Sequence, residues 1–420
     1  MNDIERIYRV IDSTLRGGEY LSESLSAQLF DNGASAFVTA ASYGVFDNLI
    51  QIDYIISKLA AKPPKPAVQN LLRLGVYLVR FSHTPAHAAV NGVVQLCRDI
   101  GKSAVSGFVN VVLRRSADFK LELPEDRLEA LSVKHSYPLW ALKLLAEQYG
   151  IETAEAIAAF KPEAFEPIRI NTKKISIEDF ERLLAESGIR YEYTHAKNVL
   201  RADYAALLKQ KWQPGLFVKQ NLGSVLIGTM IGGNPGSILD ACAAPGGKAA
   251  LLAQRFPDAR VTACDIHAHR VKLIEKYCAG LDVNVSALQS DATRFNPDWQ
   301  EKFDAVLLDV PCSGLGIASQ RPDIKFFRKE NDVQSLSELQ RKILSNCSRY
   351  VRAGGQLVYA TCTLFKQENQ DVVEDFLKTH TDFTLVPADV SEVFRSDDYL
   401  QMLPHNHSGE GYFAARLVRK

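Results

Sequence analysis

Asp240-Ala241-Cys242-Ala243-Ala244-Pro245-Gly246-Gly247-Lys248 closes one apolar run and opens a helical one. Small residues and glycines there let the backbone approach a ligand, and the start of the helix supplies unpaired N–H groups. Such a loop at the carboxyl end of a strand forms a nucleotide-type pocket in an open α/β sheet. It is neither the GxGxxG of a dinucleotide fold nor the GxxxxGKS/T of a phosphate loop. Outward from it, strand candidates recur at Ser237–Asp240, Arg260–Asp265, Val283–Gln289, Phe303–Asp309 and Gly355–Thr361, with helical stretches between most of them. That alternation predicts a Rossmann-like, mostly parallel, doubly wound sheet over residues 216–420.

Four successive strand ends carry Asp240, Asp265, Asp291 and Asp309. One such residue is commonly a turn former. Four in step with the strand period make a row of carboxylates along one edge. Repeated carboxylates disfavour a pyrophosphate ligand and suit a cationic cofactor such as a sulfonium. Asp265, 25 residues after Asp240, is placed to accept hydrogen bonds from ribose hydroxyls.

The fourth strand runs into Asp309-Val310-Pro311-Cys312-Ser313-Gly314 and the fifth into Tyr359-Ala360-Thr361-Cys362-Thr363. Neighbouring strands would bring Cys312 and Cys362 to one end of the sheet, beside the cofactor. A thiolate there is a competent nucleophile. Cys97, Cys278 and Cys347 fall in helical segments and Cys264 within a strand, where buried filler is the expected role. The seven cysteines are odd in number and contain no CxxC pair. That argues against a disulfide framework and against a zinc site, so no metal is expected, and a reducing cytosol fits.

Residues 1–145 read as helix after helix. Leu71-Leu72-Arg73-Leu74-Gly75-Val76-Tyr77-Leu78-Val79 has apolar spacings of three and four, and Pro63-Pro64-Lys65-Pro66 breaks two helices. No strand-like alternation is evident, so an all-α domain is expected. From Lys58 to Lys120 ten basic residues face only Asp99 and Asp118. This stretch is either a solvated face or a phosphate-binding surface. Residues 146–215 read as a small α/β connector. Pro167-Ile168-Arg169-Ile170-Asn171 is a short strand, a helix follows Ser176 as N-cap and stops at Gly188, and Arg190 to Tyr193 is a second strand.

The chain has 420 residues, 46% apolar and 23% charged, with zero formal net charge. At roughly 150 residues per domain this suggests two to three domains. Met1-Asn2-Asp3-Ile4-Glu5 lacks the basic start of a signal peptide, and no apolar run reaches the roughly 18 residues of a membrane span. A cytoplasmic, monomeric protein without a membrane partner is expected.

These motifs resemble the RNA cytosine-5 methyltransferases of the RsmB (Fmu/Sun) type, in the RsmB/NOP family. The loop Asp240–Lys248 is similar to that family's S-adenosylmethionine loop. Pro311-Cys312-Ser313-Gly314 and Thr361-Cys362 are similar to its two cysteine motifs, and Glu368-Asn369 fits as well. His87-Ala88-Ala89-Val90-Asn91 and Gly107-Phe108-Val109-Asn110-Val111-Val112-Leu113-Arg114 resemble the NusB-like RNA-binding domain fused in front. His135-Ser136-Tyr137-Pro138 and Arg169-Ile170-Asn171-Thr172 match the connector, and Gly409-Glu410-Gly411-Tyr412-Phe413 the closing strand. Val310 stands where the family usually has alanine.

The resemblance implies transfer of a methyl group from S-adenosylmethionine to carbon 5 of a cytosine in RNA, 16S ribosomal RNA being the expected substrate. Cys242, Ala243, Ala244, Pro245, Gly246, Gly247, Lys248, Asp265, Asp291 and Asp309 would bind the cofactor, with Asp265 on the ribose and Asp291 at the adenine end. Cys362 would attack carbon 6 and Cys312 would assist product release. Asp309, protonated, would donate near N3. The target base must leave its stack. Arg321, Lys325, Arg328 and Lys329 would hold phosphates or form an ordinary solvated helix face. A nicotinamide dehydrogenase would need the absent GxGxxG and would leave both cysteines idle. A DNA cytosine methyltransferase would make Cys312 the nucleophile. An RNA-binding assembly protein with a vestigial catalytic domain would not need Cys312, Cys362 and Asp309 intact.

Overall fold

Ala305-Val306-Leu307-Leu308 is apolar at every position and all four side chains are buried, as expected of a strand covered on both faces. The computed structural model describes residues 2–30, 35–161 and 165–420. Its chain separates into two compact units, Met1–Ala159 with Ala318–Lys329, and Phe160–Ile317 with Glu330–Lys420.

Among the described residues the regular elements of the first unit are all helices, as the spacing predicts. Leu71, Leu72, Leu74, Val76 and Leu78 of the helix Pro66–Arg80 join Val90, Val93, Val109, Val112 and Leu113 in one apolar core. Among the ten basic residues, Arg73 and Arg80 are engaged by a carboxylate and by backbone carbonyls. Arg73 pairs with Asp53 at 2.6 Å, and Arg80 donates to the carbonyls of Ser116 and Phe119 at 2.6 and 3.0 Å.

The segment Ala318–Lys329 belongs to this unit. The carboxylate of Asp323 accepts the N–H of Leu21 at 3.0 Å, at the first residue of the helix Leu21–Phe30. Phe326 packs on the helical core, its ring 6.2 Å from that of Phe46. Lys325 is neither a phosphate ligand nor a solvated residue. It is buried, donates to the Ser136 carbonyl at 3.0 Å, and is pushed down to about 8 by that burial. Arg321 lies over the Tyr20 ring and donates to the Ser22 hydroxyl at 3.3 Å.

The second unit holds two sheets. The connector sheet comprises β1 (Glu166–Ile170), β2 (Tyr191–Tyr193), β3 (Val199–Ala202) and β4 (Phe217–Lys219), in the antiparallel order β2-β3-β1-β4. The helix Ile177–Glu186 covers it with Phe180 and Leu184. Ser176 caps that helix by accepting the Asp179 N–H at 3.0 Å, and Gly188 follows at φ +65°.

The larger sheet contains β5 (Ser237–Asp240), β6 (Arg260–Asp265), β7 (Ser286–Gln289), β8 (Phe303–Asp309), β9 (Val351–Thr361), β10 (Phe383–Val386), β11 (Arg395–Ser396), β12 (Tyr399–Met402) and β13 (Tyr412–Arg419). Its order is β11-β12-β13-β9-β8-β5-β6-β7, with β10 on β13. The pairs among β5 to β9 are parallel, and β13 closes antiparallel on β9. Alternate residues face opposite layers: Ala305 and Leu307 join one core, Val306 and Leu308 the other. Among the described residues no helix is long and apolar enough to cross a membrane.

Candidate active site

β5 ends in Asp240, and the chain turns through Ala241–Gly246 into the helix Gly247–Arg255. The turn is stitched to both neighbouring strands, by Ala241 N–H to Leu307 O at 3.0 Å and Ala243 N–H to Cys264 O at 2.7 Å. Gly246 has φ +113°, and a Cβ there would sit 3.2 Å from the Ile274 Cα, so both conformation and space require glycine.

Asp240 is completely buried and neither carboxylate oxygen makes a well-formed hydrogen bond. Burial pushes its carboxyl up to about 7, with the Asp309 and Asp265 charges adding to the effect and Lys248 opposing it. The Cys242 N–H also lowers it, although only loosely aligned. A cationic group would supply what this carboxylate lacks.

Asp265 is 5% exposed, accepts the His267 N–H at 3.0 Å and pairs with Arg270 at 3.1 Å. Asp291 lies two residues beyond β7 and accepts both the backbone N–H and the hydroxyl of Thr293, at 2.9 and 2.7 Å. The Thr293 hydroxyl leads in holding its carboxyl below the usual range. An open cavity of about 580 Å³ joins Asp291 to Ile266, Phe295 and Pro297. Ile266 is half exposed, an apolar face on which a flat ring can lie. The sequence reading passed over it, although an apolar residue directly after a strand-end acid was the available signal.

Because β8 and β9 pair in parallel, with Asp309 opposite Ala360, the loops that follow them meet. The sulfurs of Cys312 and Cys362 are 3.3 Å apart, and the Cys362 N–H also donates to the Cys312 sulfur at 3.3 Å. Cys312 is 7% exposed. Its thiol is held well above the usual range, first by the hydrogen bond with Cys362 and then by burial. Cys362 is the more open of the two. Burial pushes the Cys242 thiol far up as well, which leaves it unsuited to act as a thiolate.

Lys248 donates to Asp309 at 2.6 Å. Burial alone would lower its ammonium, but the Asp309 carboxylate outweighs it and holds it above its usual value. In this pair the hydrogen belongs to the Lys248 ammonium, so Asp309 accepts where the sequence led us to expect a donor.

A buried carboxylate clamps the two cysteine loops together. Glu368 accepts the Ser313 N–H at 2.8 Å, the Ser313 hydroxyl at 2.5 Å, the Gln340 amide at 2.9 Å and the Thr363 hydroxyl at 3.3 Å. Burial raises its carboxyl and these donors oppose that. Asn369 completes the clamp, accepting the Thr361 hydroxyl at 2.5 Å and donating to the Thr363 carbonyl at 3.2 Å.

A Rossmann-like sheet whose glycine turn leads from an unpartnered buried carboxylate defines the class, an S-adenosylmethionine-dependent methyltransferase domain. Residues 232–418 match the 16S rRNA methyltransferase RsmB/F family, residues 4–118 the NusB family, and residues 137–210 the ferredoxin-like domain of RsmF/B-like methyltransferases. The chain is 33% identical over 411 residues to the probable ribosomal RNA small subunit methyltransferase B of Bacillus subtilis, covering 91% of this chain and 90% of the relative. It is 31% identical to the ribosomal RNA small subunit methyltransferase B of Vibrio cholerae, covering 99% and 96%. A solved methyltransferase homologue from Pyrococcus horikoshii is 24% identical. It covers 71% of this chain and 100% of its own, has a TM-score of 0.58, and shares the fold over that part. The chain belongs to the RsmB/F methyltransferase family.

Proposed function

We propose that this protein methylates carbon 5 of a cytosine in small-subunit ribosomal RNA through a covalent bond between Cys362 and the base. The observation that carries the reading is the pair of thiols 3.3 Å apart, of unequal exposure, at the ends of adjacent strands. The names of the relatives, which act on small-subunit ribosomal RNA, supply the substrate class.

S-adenosylmethionine supplies a methyl group on a sulfonium sulfur. Cys242 to Lys248, Asp265, Asp291 and Asp309 would hold it, and the buried Asp240 carboxylate would favour its positive charge. Carbon 5 of cytosine is a poor nucleophile while the ring is aromatic. Cys362, once deprotonated, adds at carbon 6 and loads electron density on carbon 5. Asp309, supplied by the Lys248 ammonium, delivers a proton at N3 and stabilises the adduct. After transfer, solvent water takes the carbon-5 proton, Asp309 takes back the N3 proton, and Cys362 departs as a thiolate. Cys312 retains its proton and donates a hydrogen bond to the departing sulfur.

Residues 1–145 form the RNA-binding domain, 146–215 the connector and 216–420 the catalytic domain in this reading. A reduced thiol pair suits the cytoplasm.

Tritium from labelled cofactor should enter unmethylated small-subunit RNA. Cys362→Ala should abolish transfer and give no covalent complex. Cys312→Ala should attack, stall, and accumulate a protein–RNA adduct that survives a denaturing gel. Adduct from Cys362→Ala and none from Cys312→Ala would make Cys312 the nucleophile.

A further inference from the structure

A cavity of about 300 Å³ opens between the edge of the connector sheet and the loop before β13, lined by Tyr193, His195, Arg201, Phe394, His407 and Glu410. Its volume is at the lower end for a small-molecule site. One wall is tied to the reactive centre. Gly411, directly after Glu410, donates to the Gly316 carbonyl at 2.8 Å, and Gly316 donates to the Cys362 carbonyl at 3.0 Å.

The lining presents flat rings together with an arginine and a carboxylate that are hydrogen-bonded to the backbone. The His195 ring meets Phe394 edge-on at 5.0 Å between centroids, and Phe394 meets His407 at 5.2 Å. Tyr193 is 68% exposed. Neither nitrogen of His195 has a hydrogen-bond partner among the described residues. Arg201 donates to the Phe165 and Ser408 carbonyls at 2.8 and 3.3 Å. Glu410 accepts the N–H groups of Leu222 and Gly223 at 3.0 and 2.8 Å, which leaves each oxygen a further lone pair. A phosphate would face that carboxylate. A neutral, flat heterocycle with its own donors and acceptors fits both the rings and the polar atoms.

We propose that this pocket receives a base of the RNA strand next to the target cytosine, an inference that rests on the proposed methylation of RNA. A single strand entering an active site presents its neighbouring bases splayed, and aromatic platforms bind them through their faces. His195 and Tyr193 supply the platform on the connector side. The pocket thereby couples the connector to the choice of target sequence.

The test uses the full chain and an unmethylated small-subunit RNA fragment made abasic at each position near a candidate cytosine in turn. Equilibrium RNA affinity is measured alongside tritium transfer. Wild-type affinity should fall about tenfold for one abasic position. His195→Ala should lose a similar factor on intact RNA and no longer distinguish that abasic RNA, since both changes remove one interaction. His195→Phe, which keeps a flat ring, should retain the discrimination, and cofactor affinity should not change in either variant. Wild-type affinity insensitive to every abasic site would overturn the pocket assignment, even with methyl transfer intact. So would equal abasic discrimination by His195→Ala, or His195-dependent binding of free nucleosides without any abasic effect. A wild-type chain that binds the fragment with this discrimination but transfers no methyl would refute the methylation reading and leave the pocket standing.

Discussion

Asp240 is held with its carboxyl at about 7, chiefly by burial, whereas the ordinary value is 3.8. Between those values the cofactor-free native state keeps a proton that the unfolded chain has released. Stability is therefore fully supported below about pH 4 and falls as pH rises through about 7. A shift of this size corresponds to roughly 4 kcal/mol. Urea unfolding of the cofactor-free wild type should weaken across that window, and Asp240→Asn should reduce the slope, Glu410, which burial also pushes up to about 7, supplying part of what remains. Equal slopes in both proteins would mean the carboxyl is ionised throughout. The four strand-end acids were legible in the sequence as equals, and the structure makes them unequal. Asp291 is satisfied by Thr293, two residues away, which local sequence can suggest. Asp240 is left without a partner by packing from several strands, which no local pattern encodes. Glu368 is a similar case: the residues it joins, Ser313 and Gln340, lie 55 and 28 positions away.

At the level of elements, the site is set by strand parity. Asp240 is in register with Ala263 on one side and Leu307 on the other, and Asp265 and Asp309 each lie two residues further on. Leu307 is opposite Val358, and Cys362 lies four residues beyond that. Side chains two and four apart share a pleat face, so the three acids and the nucleophile candidate come from one side of the sheet. Gly316 sets the loop above. A Cβ there would lie 2.1 Å from the Gly411 carbonyl and 2.8 Å from that of Cys362, both backbone atoms. Gly316→Ala should therefore displace the Cys362 loop, cutting turnover by at least tenfold while S-adenosylmethionine affinity in calorimetry stays within about twofold. Wild-type turnover in that variant would show that the staple does not position the cysteine. The parallel core was legible because each strand is a short apolar run ending in an acid. The connector strands β3 and β4 were not, because each is defined by its antiparallel pairing with β1. The antiparallel half from β10 to β13 was announced only by its closing motif, since its pairing is decided by contact with β9.

Across the whole molecule the chain passes between its two units three times, and the segment Ala318–Lys329 belongs to the helical one. Deleting the helical region would strip the partners of Asp323, Lys325 and Phe326 and leave an apolar strap exposed. The question of RNA contact by the basic stretch must therefore be put to the full chain. Arg73 and Arg80 are already engaged within the helical unit, by Asp53 and by backbone carbonyls. Lys102, Arg114 and Arg115 are exposed and have no carboxylate partner among the described residues, Arg114 meeting only the Asn110 side chain at 3.1 Å. Each phosphate contact contributes about 0.7 to 0.9 to the slope of log affinity against log salt. If these three residues meet the backbone of the RNA, replacing all three by glutamine should reduce that slope by about 2 to 3 units. Arg73→Gln, which breaks an internal ion pair, should lower thermal stability and leave the slope alone. Filter binding from low to high salt measures both. A triple variant with the wild-type slope would make the surplus of basic residues a solvated face, and the RNA would then have to be held by the second unit.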